Sequence, residues 1–216
     1  MRENVIKLIE KEKIIVIVRG VEKEKLLPLA EAMYKGGIRL IEITYSADGL
    51  VTDEETAENI KMLDEYFGEK MFVGAGTVTK TSQVELTYKA GGKFIISPDT
   101  FPEVIKKTRE LGMVSMPGAL TPSEVQTANR AGADFVKLFP VSNFGADYVK
   151  AIMAPLSNIK FLAVGGINEN NMADYLKAGV CGFGIGSNIV NKKMLENNNY
   201  SEITKLAEKY VSNIKG

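Results

Sequence analysis

Apolar and polar positions fall into alternating blocks along this chain. Short apolar runs occur at Ile14–Arg19, Leu40–Tyr45, Phe72–Thr77, Phe94–Pro98, Met113–Pro117, Phe135–Pro140, Lys160–Gly166 and Gly182–Ser187. Their starts recur roughly every 20–30 residues, the rhythm of successive βα units. Runs such as Ile14-Ile15-Val16-Ile17-Val18 are apolar at every position, which predicts parallel strands buried on both faces. Polar, amphipathic stretches between them predict helices. Thr121 and Pro122 read as the N-cap and first residue of one helix. Glycines at Ala90-Gly91-Gly92, Leu111-Gly112, Ala131-Gly132 and Ala178-Gly179 read as helix ends. Residues 2–12 predict a short extra helix before the first strand. Asn197-Asn198-Asn199 predicts a loop before a last helix at Ser201–Ile214. Eight units predict an α/β chain closed as a (β/α)8 TIM barrel, with an open doubly wound sheet as the alternative. No linker or low-complexity tract divides the 216 residues, so one domain is expected.

Composition narrows the function. Lys plus Arg equals Asp plus Glu, at 27 each, so no global field favours nucleic acid or a membrane surface. The N-terminal segment reads as a helix rather than a leader, and no run approaches the roughly 20 apolar residues of a membrane span. The single cysteine, Cys181, excludes an internal disulfide and suits a cytoplasmic chain; it reads as a small buried side chain at the start of the eighth strand. Met153 and Met172 read as core. The chain has no histidine. Acid–base work must then come from carboxylate, lysine, tyrosine or water, and a zinc mechanism resting on imidazole ligands is disfavoured. Gly74-Ala75-Gly76-Thr77 lacks the third glycine of a dinucleotide fingerprint. No metal and no cofactor are expected.

Charges inside apolar strands carry the candidate chemistry, because an unpaired buried charge costs several kcal/mol. Lys137 shares one face of its strand with Phe135 and Phe139. Desolvation there would lower its pKa and prepare a nucleophilic amine; a snorkelling lysine or a buried ion pair is the alternative. Glu42 is a lone charge in Leu40-Ile41-Glu42-Ile43-Thr44-Tyr45, a proton shuttle or a structural counter-ion for Lys137. Arg19 closes the first strand and could hold a carboxylate or phosphate, or a salt bridge. Thr77 could donate a hydroxyl to a ligand, or cap a turn. Gly165-Gly166 and Gly186-Ser187 follow the last two strands, where barrels bind phosphate through backbone N–H groups; tight turns are the structural alternative.

Taken in order, Leu40-Ile41-Glu42-Ile43-Thr44, Val73-Gly74-Ala75-Gly76-Thr77, Ile96-Ser97-Pro98, Met116-Pro117-Gly118, Val136-Lys137-Leu138-Phe139-Pro140 and the two glycine turns resemble the 2-keto-3-deoxy-6-phosphogluconate and 4-hydroxy-2-oxoglutarate aldolases. The resemblance runs from about Ile14 to about Val190. It implies a metal-free (β/α)8 barrel, usually trimeric, acting on a phosphorylated keto sugar acid and releasing pyruvate. It assigns Lys137 as the Schiff-base lysine and Glu42 as the proton-transferring carboxylate. Thr77 and nearby amides would hold the pyruvyl carboxylate beside Pro98. Phe139 would pack on the ketone, and Gly165, Gly166, Gly186 and Ser187 would hold the phosphate. Ser46 stands where many members carry an arginine, and Arg19 would replace it. Ala163-Val164, together with Ser142-Asn143-Phe144-Gly145, is closer to the galactonate-type branch. The rival readings are another phosphate-binding barrel enzyme, such as an epimerase or a thiamine-phosphate synthase, and a non-catalytic sugar-phosphate binder.

Overall fold

All eight apolar runs form strands in the computed structural model, which describes residues 1–215. The strands are β1 (Ile14–Val18), β2 (Leu40–Thr44), β3 (Phe72–Gly76), β4 (Phe94–Ile96), β5 (Val114–Met116), β6 (Gly118–Ala119), β7 (Val136–Leu138), β8 (Phe161–Val164) and β9 (Gly182–Ile185). The helices are α1 (Arg2–Glu12), α2 (Lys23–Lys35), α3 (Asp53–Phe67), α4 (Thr81–Lys89), α5 (Pro102–Glu110), α6 (Pro122–Ala131), α7 (Gly145–Met153), α8 (Met172–Ala178), α9 (Lys192–Glu196) and α10 (Tyr200–Lys215). Every strand pair is parallel.

The sheet runs β5-β4-β3-β2-β1-β9-β8-β7-β6. Its two ends, β5 and β6, are consecutive pieces of one extended segment. Pro117 separates them because it has no N–H to give the ladder, yet its carbonyl still accepts from Lys137 N at 2.9 Å. The fifth strand is thus one barrel position in two pieces, and the sheet closes. The remaining runs are shorter than the sequence pattern predicts. Arg19, Thr77, Pro98, Phe139 and Pro140 lie beyond their strands, at the barrel mouth, although Phe139 N still donates to Ala119 O at 3.1 Å.

Period-two alternation divides the apolar residues into two clusters. Val16, Ile41, Val73, Ile95 and Leu138 face outward against helix residues such as Leu29, Met33 and Ile60. Ile15, Leu40, Phe94, Ile96, Val114, Met116, Phe135 and Leu162 fill the lumen. The α1 residues Val5 and Ile9 belong to this inner cluster and are fully buried. Each contributes about 2 kcal/mol, and α1 forms the floor of the barrel. Asp134 fastens α1 there: its buried carboxylate accepts from Arg2, from Arg109 at the end of α5, and from Ser115 N. Cys181 packs at the same end but is only half-buried. Met172 is core, whereas Met153 is partly buried against it. The predicted Thr121 cap is part of a reciprocal capping box with Glu124, with Pro122 opening α6.

Candidate active site

Glu42 on β2 and Lys137 on β7 occupy opposite sides of the barrel. Between them lie β1, β9 and β8 in one direction, and β3, β4 and the broken β5/β6 strand in the other. Both side chains are buried, Glu42 at 1% and Lys137 at 8% exposure, and both border a void of about 10 Å³ with Ile17, Val164 and Gly184. No direct ion pair joins them. Lys137 Nζ donates instead to the carbonyl of Ser97 at 3.4 Å and lies 4.6 Å from the centroid of the Phe139 ring. Oε2 of Glu42 has no hydrogen-bond partner.

Burial pushes both groups toward neutrality. It lowers the Lys137 amine below its ordinary value; Arg19 adds to this, against the opposing charges of Glu42 and Asp99. It raises the Glu42 carboxyl from 4.5 to about 7, although the positive charges of Lys137 and Arg19 pull it back. The site therefore holds a lysine biased toward its free-amine form beside a carboxyl poised to take or give a proton near neutrality.

Ile17, Val164 and Gly184 also line a larger cavity of about 500 Å³ above this pair, together with Arg19, Phe139, Gly165, Gly166, Gly186 and Ser187. Arg19 Nη2 donates to Thr77 Oγ1 at 3.3 Å, so β1 and β3 contribute a cation and a hydroxyl side by side. Thr77 itself has φ 57° and does not line the large cavity. Pro98 is partly buried and follows Ser97, the acceptor for Lys137. Ser46 hydrogen-bonds Asp48, so it brings no cation to the site. Gly165 and Gly166 have φ values of 97° and 72°, a left-handed geometry open to glycine. Among the described residues, the backbone N–H groups of Gly165, Gly166, Ser187 and Asn188 have no protein acceptor. All four residues line the large cavity, and N–H groups so left can act as a cradle for an anion. Also among the described residues, no three His, Cys, Asp or Glu side chains converge as a metal site.

A sequence-family model described as "Aldolase: KDPG and KHG aldolase" matches residues 5–206. The chain belongs to the KDPG and KHG aldolase family. It is 35% identical over 177 residues to the 2-dehydro-3-deoxy-6-phosphogalactonate aldolase of Escherichia coli, covering 82% of this chain and 83% of that protein. It is 29% identical over 217 residues to the 2-dehydro-3-deoxy-phosphogluconate aldolase of Haemophilus influenzae, covering 99% and 98%. Among solved structures it resembles the KDPG aldolase of Legionella pneumophila with pyruvate captured as a covalent carbinolamine. That match has a TM-score of 0.84 and 30% identity, over 94% of this chain and 96% of the other.

In this member of the KDPG and KHG aldolase family the site has two tiers. The lower holds Lys137 and Glu42; the upper holds the anion cradle; Arg19 lines the upper cavity while its charge acts on both buried groups, and Val164 and Gly184 border both tiers. The sequence pattern missed several contributors. Ser97 acts through its carbonyl, which no side-chain pattern reveals. Lys25, Asn188 and Lys192 line the large cavity from surface segments whose polar composition matches any loop. The short α9, which carries Lys192, was also not predicted; its start at Asn191, whose side chain accepts from Met194 N, was the available signal.

Proposed function

We propose that this chain is a class I aldolase that reversibly cleaves a phosphorylated 2-keto-3-deoxy sugar acid to pyruvate and glyceraldehyde 3-phosphate, through a Schiff base on Lys137. The observation that carries the proposal is the placement of Lys137 opposite Glu42, both buried, beneath a cavity that ends in an anion cradle. The free amine of Lys137 attacks the C2 ketone, and loss of water gives an iminium. Glu42, directly or through water, takes the proton of the C4 hydroxyl. The C3–C4 bond breaks, its electrons enter an enamine, and the aldehyde leaves. Glu42 then returns its proton to C3, and water hydrolyses the imine to free pyruvate and the amine. A carboxyl with a pKa of about 7 suits a group that is base and then acid in one cycle.

Arg19 and Thr77 hold the pyruvyl carboxylate next to the Ser97-Pro98 turn, and the Phe139 ring covers the ketone carbon. The N–H groups of Gly165, Gly166, Ser187 and Asn188, at the Gly165-Gly166 and Gly186-Ser187 turns, with the Ser187 hydroxyl, hold the phosphate. Val164 places an apolar side chain between the two tiers, and the likeness to 2-dehydro-3-deoxy-6-phosphogalactonate aldolases favours the galactonate epimer. Unphosphorylated 4-hydroxy-2-oxoglutarate is a weaker substrate in this reading. The enzyme works in the cytoplasm as a homotrimer and needs no metal or cofactor.

Borohydride reduction in the presence of pyruvate, followed by mass mapping, tests the chemistry. A reduced pyruvate adduct on Lys137 is expected, and cleavage rates on the two C4 epimers then rank the substrates. Folded protein that binds pyruvate without forming an adduct would remove the Schiff-base mechanism.

A further inference from the structure

An anion cradle made of backbone needs its carbonyl oxygens turned away from the ligand and held there. In the segment after β8, side-chain amides do this. Gly166 O accepts from Asn171 Nδ2 at 2.9 Å and from Asn168 Nδ2 at 3.4 Å. Ile167 O accepts from Asn188 Nδ2 at 2.7 Å. Asn171 is itself fixed, because its Oδ1 accepts from Asn168 N at 2.8 Å. In the segment after β9, Gly186 O accepts from Ile189 N and Val190 N, both at 2.9 Å. With these carbonyls engaged, the N–H groups of Gly165, Gly166, Ser187 and Asn188 remain without a protein acceptor among the described residues.

Asn188 differs from the other two asparagines in coming from the opposite segment. It follows Ser187 directly, yet its side chain bonds the carbonyl of Ile167, so it ties the two halves of the cradle together. Helix α10 supports both halves from outside. Tyr210 OH donates to Asn188 O at 3.5 Å, Lys209 Nζ to Glu169 Oε1 at 2.9 Å, and Asn213 Nδ2 to Glu169 O at 2.8 Å.

We propose that Asn188, supported by Asn168 and Asn171, is the positioning residue that sets the spacing of the two halves for a phosphate monoester dianion, and so makes the enzyme prefer phosphorylated substrates. This rests on the aldolase reading of the site. Asn188 acts through the Ile167 carbonyl, not on the reacting carbons. An ionised aspartate cannot donate that bond and would add a negative charge beside the phosphate.

The test compares wild type with Asn188→Ala, Asn188→Asp, Asn188→Gln and Asn171→Ala on a phosphorylated substrate and on 4-hydroxy-2-oxoglutarate. Loss of one such tie is expected to raise KM for the phosphorylated substrate about tenfold in Asn188→Ala, with kcat little changed. The ratio of kcat/KM between the two substrates falls accordingly. Asn188→Asp falls further, Asn171→Ala falls less, and Asn188→Gln, which keeps the amide donor, recovers part of the loss. Parallel loss on both substrates, or no change in the ratio, overturns the proposal. Titration with inorganic phosphate provides a readout that needs no catalysis. Weaker binding by about tenfold in Asn188→Ala supports the proposal, and equal binding overturns it. Borohydride trapping of pyruvate on wild-type Lys137 reports separately on the aldolase reading.

Discussion

The carboxylate of Glu42 lies flush against Gly76: a β-carbon on that glycine would overlap Oε1, and it would also stand 3.1 Å from the methyl of Thr44. Glycine at this position on β3 therefore leaves the space that the Glu42 carboxylate occupies. Gly76→Ala should push the carboxylate out of line. Misplacement of about 1 Å is worth about 100-fold in rate, so kcat should fall by about that factor while pyruvate can still be trapped on Lys137. In a Glu42→Asp background, whose shorter side chain vacates part of the space, the same alanine should cost much less. Additive effects in that double-mutant cycle would show that the contact does not govern the reaction.

Burial of Glu42 sets a pH dependence of stability. The folded-state carboxyl titrates at about 7 and the unpaired group at 4.5. Below 4.5 both states hold the proton and the group adds no pH dependence. As pH rises from 4.5 through about 7 the unfolded chain ionises first, so stability is lost across that window, by about 3 kcal/mol in all. Urea melts of wild type and Glu42→Gln at pH 5 and pH 8 measure this, with a flatter dependence expected for the variant. In kcat/KM the acid limb should fall near pH 7, because proton transfer from C4 needs the carboxylate.

Lys137 is kept in the lumen at a cost to folding, since its burial disfavours the ammonium form. Lys137→Met keeps most of the volume without the charge. At pH 6, where Glu42 is mostly protonated, the variant should melt a few degrees higher, corresponding to about 1–2 kcal/mol. It should form no adduct with pyruvate. A lower melting temperature would mean that the amine contributes net stability through Ser97 and Glu42.

Asp134 is 4% exposed at its carboxylate and neutralises Arg2 and Arg109, which are about one-third exposed. Asp134→Ala leaves two guanidinium groups and Ser115 N without their acceptor. Discounting for that exposure, the loss should be about 2 kcal/mol, or about 6 °C in Tm. Hydrogen exchange should locate the first loosening in α1. Uniform protection across α1 in a destabilised variant would refute this anchoring role.

Hydrophobic pattern made much of this molecule legible. Eight apolar runs gave eight barrel positions, and Lys137 and Glu42 stood out because each interrupts a run of β-branched and aromatic neighbours. The ends of the runs were harder to read. Phe139-Pro140 and Ser97-Pro98 look like strand in composition, and Phe139 N and Ser97 N still donate to Ala119 O and Met116 O, but each proline that follows has no N–H to continue the ladder. The break at Pro117 follows from one missing N–H, but Gly118-Ala119 resumes the pairing, which requires β7 to be in place. Arg19, Gly165, Gly166, Gly186 and Ser187 were singled out because barrel chemistry occurs at fixed positions, and all five line the large cavity. Asn168, Asn171 and Asn188 were not, because their contacts are with the Gly166 and Ile167 carbonyls, which only three-dimensional placement identifies.

The α1 floor, sealed by Val5 and Ile9, has a kinetic consequence. A tube closed at one end lets molecules leave only in the order in which they are stacked. In the proposed cycle the three-carbon fragment attached to Lys137 would lie below, with the phosphorylated fragment between it and the solvent. Release should then be ordered, with the aldehyde first and pyruvate last. Run in reverse, the enzyme would charge itself with pyruvate before any aldehyde arrives. The waiting state is a carbon nucleophile at the bottom of a well, and the aldehydes it joins are chosen by what the upper walls admit.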